Sequence, residues 1–83
     1  MLICMEALKE FDCVRIVRLL QPNRHYDGTT PVMRSPCVGD TGIIVHVYAS
    51  DSADKVYAVE NVDTDGNTIW LADFLLDEIA ACA

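Results

Sequence analysis

Between Gly39 and Ala72 the chain alternates β-branched runs with glycine- and aspartate-rich turns, a pattern that fits an antiparallel meander and little else. Gly39-Asp40-Thr41-Gly42 is a turn that opens the strand Ile43-Ile44-Val45-His46-Val47-Tyr48. There Ile43, Val45 and Val47 alternate with Ile44, His46 and Tyr48 across the two faces. The next strand is Val56 to Val62, with Tyr57, Val59 and Asn61 on one face and Ala58, Glu60 and Val62 on the other. Asp63-Thr64-Asp65-Gly66-Asn67 is a hairpin turn with Gly66 at its left-handed position, and Thr68 to Ala72 returns as a strand.

The flanks extend this frame. Cys13 to Leu20 reads as a first strand, with Val14 and Ile16 on one face. Gln21 to Val38 holds all three prolines and forms a long irregular loop, a feature usually functional in a compact domain. Asp73-Phe74-Leu75 reads as one 3-10 turn, and Leu76 to Ala80 as a short last strand. Leu2, Met5, Leu8 and Phe11, at three-residue spacing, suggest a short N-terminal helical turn. Five strands, a long first loop, a tight hairpin and a one-turn helix before the last strand follow the order of a small all-β SH3-like barrel. The chain, residues 1–83, has room for one such domain, with its core over 12–80.

Composition narrows the partners. Apolar residues form 52% of the chain, which excludes a disordered polymer and leaves apolar surface for an interface. With 13 acidic and 6 basic residues the net charge is -7, which disfavours nucleic acid and anionic membrane surfaces. No apolar run reaches the roughly 20 residues that span a bilayer. The start, Met1 to Glu6, lacks a basic region, so a cytoplasmic protein with reduced thiols is expected. Cys4, Cys13, Cys37 and Cys82 are scattered and read as small buried hydrophobes or free thiols.

Catalytic and metal patterns fail on inspection. Asn61, Asp63, Asp65 and Gly66 match positions 1, 3, 5 and 6 of a calcium loop, but the bidentate Glu it requires at position 12 is Ala72. A Cys37–His25 nucleophile pair has no local signature, and His46 reads as an ordinary strand residue. The many carboxylates, Asp51 and Asp54 to Asp77 and Glu78, lie where turns and solvated faces place acids. Phosphate-binding and nucleophile-elbow motifs are missing. The expectation is a non-enzyme without cofactor or metal.

The segments Gly39–Tyr48 and Tyr57–Gly66 carry G-x-x-G-x-I-V, Y-x-V-E and D-x-D-G, and in this the chain resembles short bacterial proteins of a domain-of-unknown-function family. The resemblance implies an SH3-like barrel and carriage on a mobile gene cassette, and covers roughly residues 12 to 79. Two departures stand out: a longer first loop, and Asn61 where an aromatic is usual. The glycine-led strand also resembles the KOW motif of ribosomal and transcription proteins.

The function expected is a protein-interaction module, binding a protein segment or its own copy as a homodimer. Its candidate surface is Arg24, Tyr26 and Met33 of the first loop with Tyr48, Trp70 and Phe74. Trp70 is out of phase with Ile69 and Leu71, which leaves two placements: outward as an anchor, or over the barrel's open side. The alternatives are a KOW-like nucleic-acid adaptor using Arg15, Arg18, Arg24, Arg34 and Tyr26, or a small antitoxin- or immunity-like protein.

Overall fold

Asp63 reverses the chain where the sequence requires it. Its Oδ1 accepts the amides of Asp65 and Asn67, both at 2.9 Å, and its own amide donates to the Asn67 carbonyl at 2.9 Å. Gly66 takes φ +86, which a side chain would resist. The computed structural model describes residues 8–48 and 55–82. Its strands are β1 (Cys13–Ile16), β2 (Tyr26–Asp27), β3 (Thr41–Tyr48), β4 (Val56–Val62), β5 (Thr68–Leu75) and β6 (Ile79–Ala81). A 3-10 turn, Leu76–Glu78, precedes β6.

Among the described residues these strands form one antiparallel sheet in the order β2-β5-β4-β3-β1-β6. The order ends at β2 and β6, so the sheet is not closed. The fold is all-β, and the long loop contributes the two-residue strand β2, pairing Tyr26 with Ala72 and Asp27 with Leu71.

One face of the sheet carries the core. Val14, Ile16, Ile44, Val59, Trp70 and Phe74 are fully buried, joined by Tyr57, Ala72 and Ile79. Cross-strand pairing explains the set: Tyr57 lies opposite Phe74, Val59 opposite Ala72, and Asn61 opposite Trp70. Trp70 therefore points inward with Ala72 and Phe74, while Ile69 and Leu71 are half-buried. An irregularity at Asn61–Val62 accompanies this phase. A second one, between Ile44 and His46, makes Val45 the extra residue of β3. The uniform alternation expected for this strand breaks there: Ile43 and Val45 are exposed, while Val47 packs against the core. Gly42 is needed for approach, since a Cβ there would sit 2.7 Å from the Glu60 carbonyl and from Val59 Cγ1.

Several boundaries differ from expectation, β3 beginning at Thr41 and β6 ending at Ala81 among them. β1 stops at Ile16, because the amides of Val17 and Leu20 bond Glu78 rather than a neighbouring strand. β5 runs on to Leu75 because Phe74 is bound into the core, so the 3-10 turn falls at Leu76–Glu78 instead of 73–75. The last strand accordingly begins at Ile79. No helical turn is seen over residues 8–12: Phe11 takes φ +74, and Asp12 Oδ2 accepts the Lys9 amide at 3.0 Å. The rest of that expected helix, residues 2–7, lies outside the described residues.

The thiols also need correction. Cys13 and Cys82 face each other across β1 and the end of β6, their Cα atoms 5.4 Å apart, and form a disulfide. Cys37 is free and exposed, and Cys4 lies outside the described residues. Spacing along the chain hid the pair, which is 69 residues apart in sequence and adjacent only after β6 returns to β1.

Closing so long a loop restricts the unfolded chain. Cys82→Ser is expected to cost about 2–5 kcal/mol in urea unfolding. The oxidised wild type, treated with a dithiol reductant, should fall to the variant's midpoint; equal midpoints for oxidised wild type and variant would count against the bridge.

Candidate functional site

Two carboxylates, Glu78 buried and Asp40 half-buried, hold the two ends of the long loop. Glu78 is fully buried at the end of the 3-10 turn. Its Oε2 accepts the Leu20 amide at 2.7 Å and pairs with the Arg24 guanidinium, and its Oε1 accepts the Leu75 amide at 2.9 Å. Arg24 also donates from Nε to the Asp73 carbonyl at 2.9 Å, and its guanidinium lies 4.3 Å above the Phe74 ring. Burial pushes the Glu78 carboxyl up, but the amides of Leu20 and Leu75 and the Arg24 guanidinium outweigh it and hold it below its ordinary 4.5.

Asp40 does the same for the loop's far end. Its two oxygens receive Arg34 in a fork at 2.8 and 3.1 Å, and Oδ2 also accepts the Cys37 amide and the Trp70 indole Nε1, both at 2.9 Å. Burial opposes its ionisation, and these donors reverse that effect and lower its pKa. The Arg34 pKa is raised, chiefly by its hydrogen bond to Asp40.

These anchors place the residues expected at the surface. Trp70 and Phe74 are fully buried, their rings 5.4 Å apart, so neither offers a free face. Burial of Trp70 excludes its outward placement as an anchor. Arg24 is held between Glu78 and Phe74 with its side chain 7% exposed. Tyr26 packs half-buried against the core, and Met33 is exposed over Gly28. Tyr48 is exposed on the opposite face, edge-on to His46 with ring centroids 4.4 Å apart. The six residues thus divide into a structural group around Phe74 and a surface pair of Tyr48 and Met33.

The face of the sheet turned away from the core holds a groove of about 470 Å³. Its floor is Ala58 and Leu71, with Val45 beside them. One wall carries His46 and Tyr48 from β3; the other carries His25 and Asp27 from the loop and Asp73 from β5. His25 Nε2 is 3.2 Å from Asp27 Oδ1, and His46 Nδ1 is 3.3 Å from Glu10 Oε2. Sequence reasoning missed Asp27, Leu71 and Asp73 as neighbours, because only the β2–β5 pairing brings the loop to this wall.

Nothing in this groove resembles a nucleophile or a metal centre. Among the described residues no cluster of three His, Cys, Asp or Glu side chains is placed to hold a metal ion. The Asp63 carboxylate is engaged by its own turn, with Asn67 Nδ2 on Oδ2 at 3.4 Å. Cys37 Sγ has the Ser35 carbonyl as its neighbour, at 3.8 Å, whereas His25 is turned to Asp27. No described helix is long and apolar enough to cross a membrane, which says nothing of spanning by strands. No family model, curated protein or solved structure matches the chain.

Removing one partner of a buried ion pair strands the other. Glu78→Gln is expected to lower stability by about 3–5 kcal/mol in urea unfolding near neutral pH. Because its folded pKa lies below 4.5, the wild-type carboxylate contributes fully above that pH and loses its contribution as pH falls through the lowered value. The gap between wild type and variant should therefore narrow on acidification; a gap constant with pH would show that the charge is not what stabilises this corner.

Proposed function

We propose that this chain is a non-catalytic protein-interaction module, built as an open SH3-like barrel, that binds a segment of another protein or a second copy. The strand sequence supports the barrel reading: a long first loop, the hairpin at Asp63–Asn67 and a 3-10 turn between the last two strands. The strand order, with the loop strand β2 beside β5 and β6 beside β1, has the two ends of the sheet that such a barrel brings towards each other.

The observation that carries the binding reading is an apolar row on the face away from the core. Ile43, Val45, Tyr48 and Val62 are 36–49% exposed there. Solitary exposed hydrophobics are ordinary, but a row along adjoining strands is the kind of surface that partners cover. The arginine reading is weakened in the same structure. Arg24 and Arg34, half of the proposed phosphate-binding set, are committed to Glu78 and Asp40. The antitoxin- or immunity-like role rests on the family resemblance and has no residue-level support. The disulfide bears on compartment: such bridges persist where thiols are oxidised, which weighs against the cytoplasmic expectation.

Light scattering on the purified chain, combined with co-purification from its host, tests the proposal. A dimer or a captured protein is expected, and Val45→Glu should abolish either without changing the far-ultraviolet circular dichroism. A monomer that captures nothing, or capture indifferent to Val45→Glu, would refute the interface assigned here.

A further inference from the structure

Resting on the interaction-module reading, we propose that the groove between β3 and the β2–β5 edge takes a protein segment presenting a lysine or arginine side chain. The groove's volume, about 470 Å³, falls within the roughly 300–1,000 Å³ of ordinary ligand clefts. Its floor is apolar, Ala58 being 6% exposed and Leu71 half-buried, which suits the methylene stem of a long basic side chain. Its rim is acidic. Asp27 and Asp73 stand on one wall, and Glu10 reaches His46 beside the other.

The cation that lines this groove does not neutralise it. Arg24 is turned to Glu78 and the Phe74 ring, its side chain only 7% exposed. Tyr48, a residue 49% exposed at the groove's edge, adds an aromatic ring of the kind that attracts ammonium and guanidinium groups. Charge complementarity then selects the occupant. A second copy brings its own charge of -7, and an anionic segment meets the two carboxylates, whereas a basic segment gains on both counts.

The experiment is a titration of the isotopically labelled, oxidised full chain with a blocked Gly-Lys-Val-Lys-Gly peptide, followed by amide chemical shifts at low salt. The shifts should gather on 45–48, 58 and 71–73. Asp27→Asn combined with Asp73→Asn should weaken binding about five-fold, the sum expected of two partly exposed charge pairs. Acetylating the peptide lysines should weaken it at least as much, and this arm requires no variant to fold. Shifts lying elsewhere, no shifts, or an acetylated peptide that binds equally well would overturn the inference. If the peptide fails while Val45→Glu still abolishes partner capture or dimerisation, only the cationic occupant is wrong; if capture and self-association are also missing, the module reading falls with it.

Discussion

Glu78 is the side chain on which most of the fold converges. A carboxylate removed from water is costly unless its oxygens are filled, and here the start of the long loop, the end of β5 and Arg24 fill them. Its backbone carbonyl takes the Val17 amide at 2.8 Å, which ends β1 as a ladder partner. One residue therefore stops one strand, closes the 3-10 turn, and sets the direction in which eighteen residues of loop, from Gln21 to Val38, leave the sheet. Of that loop Tyr26 packs half-buried against the core and Pro36 is buried. Arg24 on Glu78 and Arg34 on Asp40 add two ion pairs to that packing.

Asp40 completes the restraint from the other end. It joins Arg34 to the Trp70 indole, so the last part of the loop is tied to the largest side chain of the core. The two carboxylates act on residues that also touch one another, since Trp70 meets Phe74 and Phe74 lies under Arg24. Loss of either anchor is thus transmitted along a continuous line of contacts, and their effects on stability will not be independent. The arrangement also accounts for the buried tryptophan. An indole N–H inside an apolar core needs an acceptor, and Asp40, delivered by the glycine turn before β3, supplies it at 2.9 Å.

Much of the sheet was legible because local and global preferences agree there. Val56–Val62 has the bounds the sequence suggested, and the Asp63–Asn67 turn forms from its own side chains. Legibility failed wherever a residue's direction depends on a distant partner. The phase of Ile69 and Leu71 leaves Trp70 with two placements in the sequence, whereas in the sheet the inward phase belongs to Trp70, Ala72 and Phe74. Cys13 and Cys82 meet through the return of β6, and Asp27 reaches Leu71 through a two-residue strand that no periodicity could reveal. Arginine usually lies at the surface, but a buried acid 54 residues away draws Arg24 inward.

Burial of Trp70 and Phe74 moves the question of recognition to the other side of the sheet. Aromatics that serve as core cannot serve as anchors, so whatever this chain binds must be met by what remains outside. On the outer face that is a strand, β3, whose irregularity at Val45 turns consecutive side chains to solvent. Under strict alternation either Val47 would leave the core, or Val45 would join Val47 inside and Ile44 would leave it; with the extra residue, Ile44 and Val47 both pack inward while Val45, His46 and Tyr48 face the groove. A single inserted residue therefore lets one strand complete the core and furnish a wall of the outer groove, and this is why the binding surface proposed for the chain lies along β3 rather than on the aromatic residues of β5.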